Sequence, residues 1–228
     1  MLHHHPAHPG PAQRMEHLPM QEPTPIVYVV DDDISVRESL ELLIRSAGWR
    51  PVLFDAATAF LDEPASVAPS CLVLDVNLPD LNGLDLQSSV AGARPAMPII
   101  FITGYGDVPL TVRAMKAGAV EFLTKPFDSD ILLQAIADAL QHSRAALGQQ
   151  SRLDALRQAY ALLTSREREV LEMVVAGRLN KQIAADLGIS EITVKAHRGR
   201  VMRKMQARTL PDLVNMAALL AIVPARSR

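Results

Sequence analysis

Short apolar runs that end in polar residues alternate with segments of helical period, five times in about 120 residues. No other feature restricts the fold of this chain as much. The runs are 26–30, followed by Asp31-Asp32-Asp33; 52–54; 71–74, followed by Asp75; 98–103, ending in Thr103; and 120–123, followed by Thr124-Lys125-Pro126. Pro98 stands first in its run, where a missing N–H is tolerated. Between them, residues such as Val36, Leu40, Leu43, Ile44 and Ala47 recur at helical steps. Asp107 and Asp128 stand as caps for two further helices, the second with Ile131, Leu132, Ala135, Ile136, Ala139 and Leu140 on one face. This pattern predicts an α/β fold, a doubly wound five-stranded parallel sheet with helices on both faces.

In open parallel sheets, ligands bind beyond the carboxyl ends of the strands. Asp31, Asp32 and Asp75 would meet there. Three carboxylates repel one another, and a divalent cation removes that conflict. Mg2+ takes oxygen ligands and keeps several waters. The backbone carbonyl of Asn77 offers one more ligand. Lys125 adds a fixed positive charge and Thr103 a hydroxyl. Together these are the parts needed to hold a phosphoryl group on a carboxylate.

Charge divides the chain. Residues 151–228 carry 14 Lys and Arg against 7 Asp and Glu, and residues 1–150 carry 9 against 18. An acidic first part joined to a basic second part points to nucleic acid as a partner of the second alone. One cysteine excludes a disulfide within the chain and fits a reducing cytoplasm. Cys71 lies in the third apolar run and reads as a small buried hydrophobe. No apolar run reaches the length of a membrane span, and no signal-peptide pattern opens the chain. Residues 1–25, rich in Pro and His, read as a disordered extension; they fit a cloning scar, or an upstream start codon with Met15 or Met20 as the biological start.

Residues 26–147 thus form the first domain. Gly148-Gln149-Gln150 breaks the pattern. Leu153, Leu156, Tyr160 and Leu163 then predict a helical linker over 148–163. Residues 164–222 are all helix, with a tail at 223–228. Thr164 and Glu167 make a capping box. Asn180 is expected to cap a short helix, Gly188 to make a tight turn, Ser190 to cap the next helix, and Thr209 the last. Short helix, glycine turn, longer helix is the order of a helix-turn-helix.

Residues 26 to about 142 resemble the receiver domain of bacterial two-component response regulators. The signs are Asp31-Asp32, the strand ending in Asp75, Leu78-Pro79 leading to Gly83, Thr103-Gly104 and Lys125-Pro126-Phe127. The segment from Thr164 resembles the LuxR/NarL-type DNA-binding domain, through Leu163-Thr164-Ser165-Arg166-Glu167-Arg168-Glu169-Val170-Leu171, Asn180-Lys181-Gln182-Ile183-Ala184 and Ile192-Thr193-Val194-Lys195-Ala196-His197. With Gly104-Tyr105-Gly106-Asp107-Val108-Pro109 and Met115-Lys116-Ala117-Gly118-Ala119, the likeness narrows to the FixJ branch.

The resemblance implies strand order 2-1-3-4-5, with the site at the switch point between the first and third strands. It implies that Asp75 is the phospho-acceptor, that Asp31, Asp32, Asp75 and the Asn77 carbonyl hold Mg2+, and that Thr103 and Lys125 grip the acyl phosphate. Phe122 stands at the switch aromatic. Asn77 and Tyr105 flank the acyl phosphate, with a lifetime of minutes or longer and faster decay in Tyr105→Ala. Lys195, Ala196 and Gly199 would face the major groove, with Lys181, Thr193, His197, Arg200 and Arg203 near phosphates. Arg198 and Lys204 read as a solvated helix face. The implied partners are a sensor histidine kinase, promoter DNA, RNA polymerase and a second copy of the chain on phosphorylation, in the cytoplasm and with no membrane. The implied function is a phosphorylation-dependent transcription regulator rather than an enzyme.

Two other readings compete. A phosphatase or phosphotransferase of the haloacid dehalogenase type also uses a strand-end Asp, Mg2+ and Lys. It wants a second acid two residues after the nucleophile, where this chain has Asn77. A phosphorylation-independent DNA binder would ignore substitution of Asp75.

Overall fold

The computed structural model describes residues 23–104 and 108–222. The disordered reading of 1–25 falls almost wholly outside them, as do the tail, Tyr105 and the Asp107 cap.

Five strands, β1 (Ile26–Val30), β2 (Arg50–Phe54), β3 (Ser70–Asp75), β4 (Ile99–Thr103) and β5 (Glu121–Thr124), form one parallel sheet in the order β2-β1-β3-β4-β5. Successive side chains of a strand point to opposite faces, and two cores follow. Tyr28, Val30, Leu72, Leu74 and Phe101 face α2 (Ala57–Leu61), α3 (Gly83–Ala93) and α4 (Val108–Lys116). Val27, Val29, Cys71, Val73, Ile100 and Ile102 face α1 (Ile34–Ser46) and α5 (Ser129–Ala161). Fully burying each large aliphatic side chain contributes roughly 1.5–3 kcal/mol. β1, β3 and β4 are buried along their whole length, as expected of strands covered on both faces. Cys71 is fully buried, and burial pushes its thiol pKa far above the ordinary value.

The ends of some elements differ from the sequence pattern. Pro98 precedes β4 rather than opening it, and Pro51 lies inside β2. β2 is an edge strand, where a residue without an N–H is tolerated. The larger difference is α5. It runs unbroken from Ser129 to Ala161, through Gly148. A glycine inside a helix costs about 1 kcal/mol, too little to stop a helix of Ala, Leu, Gln and Arg. One helix of 33 residues, about 50 Å long, therefore leads out of the sheet domain.

The C-terminal helices are α6 (Ser165–Val175), α7 (Asn180–Leu187), α8 (Glu191–Lys204) and α9 (Leu210–Leu219). Val170, Leu171, Ile183, Val194, Val201, Met205 and Leu213 make their core, and Ala159 and Tyr160 of α5 pack against it. Thr164 and Glu167 form the expected capping box, and Ser190 and Thr209 cap α8 and α9. Gly188 takes φ +64 at the turn between α7 and α8, a conformation that β-carbon sterics disfavour in other residues. Asn180 does not cap α7. Leu179 holds the cap position, and the Gln182 side chain reaches back to accept its N–H at 2.9 Å.

Candidate functional site

Parallel strands deliver Asp31, Asp75, Thr103 and Lys125 to one end of the sheet. Asp31 follows β1, and Asp75 and Thr103 close β3 and β4. Lys125 follows β5, and its N–H donates to the Thr103 carbonyl at 2.7 Å. The Lys125–Pro126 peptide bond is cis.

Each of Asp31, Asp32 and Asp75 offers a carboxylate oxygen, and these atoms lie within 4.8 Å of one another. Asp31 and Asp75 are buried, and Asp32 is exposed. The Lys125 ammonium donates to both buried carboxylates, at 2.6 Å to Asp31 Oδ2 and 2.6 Å to Asp75 Oδ2. Burial disfavours the ammonium, yet the bonds to Asp31 and Asp75 outweigh it and hold the Lys125 pKa above its ordinary value. Burial pushes the Asp31 pKa up, and the Lys125 bond and the Asp33 N–H oppose that rise.

Backbone groups fix both carboxylates. Asp31 Oδ1 accepts the Asp33 N–H at 2.9 Å, and Asp75 Oδ1 accepts the Asn77 N–H at 3.0 Å. Arg37 donates to the Asp31 carbonyl at 2.7 Å, a support that no motif in the sequence announces. Beyond Asp75 the chain folds back tightly. Asn77 bridges Asn82, and the Gly83 N–H donates to the Val76 carbonyl at 3.0 Å. A Cβ on Gly83 would stand 2.8 Å from the Asp75 carbonyl oxygen and 3.2 Å from Phe101 Cε1, so the close return admits glycine alone without a shift.

Three carboxylates face one ammonium, which leaves two negative charges to neutralise. An all-oxygen set of that charge suits a hard divalent cation such as Mg2+. Thr103 is fully buried beside these groups. Phe122, half-buried on β5, packs against Phe101 with ring centroids 6.1 Å apart.

At the other end of the chain, α8 presents Lys195, Ala196, Gly199, Arg200 and Arg203 to solvent, and Lys181 of α7 is also exposed. A Cβ on Gly199 would touch nothing within 4 Å, so packing does not demand that glycine. Thr193 and His197 are half-buried. Thr193 belongs to the Ser190 cap, its N–H donating to Ser190 Oγ at 3.1 Å. Ile192 is 80% exposed at the start of the same helix, an apolar side chain left out of the core. Arg198 and Lys204 are not a solvated face. Arg198 donates to Asn180 Oδ1 at 2.6 Å, tying α8 to the start of α7. Lys204 donates to Glu167 at 2.6 Å and to the Leu162 carbonyl at 3.0 Å, tying α8 to the end of α5.

A strand-end acid cluster joined by one helix to a helix-turn-helix defines a receiver coupled to a DNA-binding module. The family comparisons agree. Residues 27–137 match the response regulator receiver domain, and residues 161–217 match the bacterial regulatory proteins of the luxR family. The chain is 49% identical over 197 residues to nodulation protein W of Bradyrhizobium diazoefficiens, covering 86% of this chain and 87% of that protein. It is 44% identical over 199 residues to the transcriptional regulatory protein FixJ of Azorhizobium caulinodans, covering 87% and 94%. The solved structure of the response regulator StyR matches with a TM-score of 0.78 and 46% identity, over 86% of this chain and 99% of that one. The chain belongs to the response regulators of two-component systems, in the FixJ-type group that joins a receiver to a LuxR-type DNA-binding domain. Its relatives are transcriptional regulators. No helix among the described residues is long and apolar enough to cross a membrane.

Proposed function

We propose that Asp75 accepts a phosphoryl group from a partner histidine kinase and that the phosphorylated chain dimerises and binds promoter DNA. The observation that carries this reading is the Lys125 ammonium, which touches Asp75 and Asp31 at once. An Asp75 oxygen attacks phosphorus as the bond from phosphorus to the donor nitrogen breaks. Lys125 then holds a phosphoryl oxygen in place of a carboxylate oxygen, and the Thr103 hydroxyl donates to another. Asp31, Asp32, Asp75 and the Asn77 carbonyl would hold Mg2+, which supplies charge neutralisation at the transferring group.

Movement of Thr103 toward the phosphoryl group would vacate space beside Phe122. The aromatic side chain would turn into it and repack the surface of α4, β5 and α5, a shift between two packings. Exposed Val112 and Met115 on α4 and Ile131 on α5 give that surface an apolar character suited to a second copy. On DNA, Lys195, Ala196 and Gly199 would lie at base edges in the major groove. Lys181, Thr193, His197, Arg200 and Arg203 would contact the phosphate backbone, which positions without reading sequence. The DNA-bound dimer would engage RNA polymerase.

Incubation with acetyl phosphate and Mg2+, followed by intact mass and fragment mapping, tests the acceptor. One added phosphoryl group on Asp75 is expected, and none in Asp75→Asn. A phosphoryl group elsewhere would sink the assignment.

A further inference from the structure

The loop that leaves Asp75 is fastened to a helix that precedes it in sequence. α2 has no cap of its own, because Ala56 at its cap position offers no side-chain oxygen. Asp80 supplies the acceptors from 22 and 23 residues away. Its Oδ1 accepts the Ala57 N–H at 3.2 Å. Its Oδ2 accepts the Thr58 N–H at 2.9 Å and the Thr58 hydroxyl at 3.0 Å. One carboxylate thereby satisfies two N–H groups that a helix start leaves without partners.

On either side of Asp80, Leu78 and Leu81 pack against the core, and Asp80 adds a polar fastening to α2. The base of the loop is fixed by the Asn77–Asn82 bridge and by the close return of Gly83 to Asp75. Asn77, Pro79, Asp80 and Asn82 are exposed, so packing holds the loop through Leu78 and Leu81 and leaves its polar side to hydrogen bonds. A residue that caps α2 from within this loop also fixes where the loop lies.

We propose that Asp80 is a positioning residue for the acidic site, clamping the loop onto α2 so that the Asn77 carbonyl stays in place as a cation ligand. This rests on the reading that Asn77 and Asp75 share a divalent cation. A cap alone would matter only to α2. A clamp matters to the cation as well, because losing a group that orients a metal ligand weakens binding.

The two roles separate in a pair of variants of the full chain. Asp80→Ala removes cap and clamp together. Ala56→Ser in the same chain restores a local cap, since Ala56 already has the extended conformation of a cap residue, φ −145 and ψ 149. The probe is Mg2+ alone, titrated by calorimetry, with amide hydrogen exchange over 76–82 as a second readout. Asp80→Ala is expected to weaken Mg2+ binding about tenfold, the lower end for such residues, and to speed exchange in the loop. Asp80→Ala with Ala56→Ser is expected to regain the unfolding temperature while Mg2+ binding stays weak. Asp80→Asn, which keeps one acceptor, is expected to fall between. Wild-type Mg2+ affinity in the double variant would overturn the clamp, and so would a change under twofold in Asp80→Ala. The reading of Asp75 fails by a different result, phosphorylation of Asp75→Asn by acetyl phosphate, and the Mg2+ titrations would still decide the clamp.

Discussion

Lys125 joins Asp31 to Asp75 through a single ammonium, 2.6 Å from an oxygen of each, although the two aspartates stand at the ends of different strands. This contact makes Lys125 a competitor of any divalent cation for the same carboxylates. Lys125→Met should therefore bind Mg2+ at least about tenfold more tightly than the wild type, on the scale of one neighbouring charge removed. Without metal the variant should lose about 3 kcal/mol of stability, because the buried carboxylates lose their counter-charge. Calorimetric titration and urea unfolding measure the two effects. Unchanged or weaker Mg2+ binding would contradict the competition.

Gly83 returns so close to the Asp75 carbonyl that a methyl group has no room. Gly83→Ala should cost about 2 kcal/mol, the usual range for overpacking, and should slow phosphoryl acceptance by moving the acceptor strand end. Stability equal to wild type in urea would show that the loop yields freely.

Glu167 ties α6 to α8, accepting from Lys204 and from the N–H of its own cap residue Thr164. Chiefly the Lys204 bond, then the Thr164 N–H, hold its pKa below the ordinary 4.5. A depressed folded pKa gives stability that is present above the unfolded value and lost as pH falls through the folded one. The DNA-binding domain should lose this contribution below the ordinary carboxylate range. Glu167→Gln should be less stable at neutral pH by about 1.5 kcal/mol, the scale of a hydrogen bond to a charged group. Its acid unfolding curve should be flatter than that of the wild type. An equally steep curve in the variant would assign the acid sensitivity elsewhere.

Gly148 lies in α5 with nothing within 4 Å of where a Cβ would stand. Gly148→Ala should gain about 1 kcal/mol of helix stability and leave both domains unchanged. Gly148→Pro should kink the helix, keep phosphoryl acceptance, and lose the effect of phosphorylation on DNA affinity. A normal response in Gly148→Pro, read by fluorescence anisotropy on operator DNA, would remove α5 from the transmission path.

Much of this was legible in the chain itself. The strand-end polar residues stand out because apolar runs leave Asp31, Asp75, Thr103 and Lys125 at one end of the sheet. The helix-turn-helix is legible through its caps and its glycine turn. Asp80, Arg198 and Lys204 are not, because their partners lie at least 18 residues away and no period links them. A surface carboxylate or cation that closes a long loop has the same local signature as a solvated one. Gly148 misleads for another reason. Glycine ends a helix by adopting positive φ, and it also tolerates helical backbone where neighbours favour it.

In the proposed function, the phosphorylation state of Asp75 governs DNA binding by α8. The most direct measurement is operator affinity with and without acetyl phosphate, in the wild type, Asp75→Asn and Phe122→Ala. The wild type should bind more tightly when phosphorylated and sediment as a dimer. Asp75→Asn should show neither change, and Phe122→Ala should accept the phosphoryl group without gaining affinity. A phosphodonor-dependent rise in affinity in Asp75→Asn, or none in the phosphorylated wild type, would contradict the account.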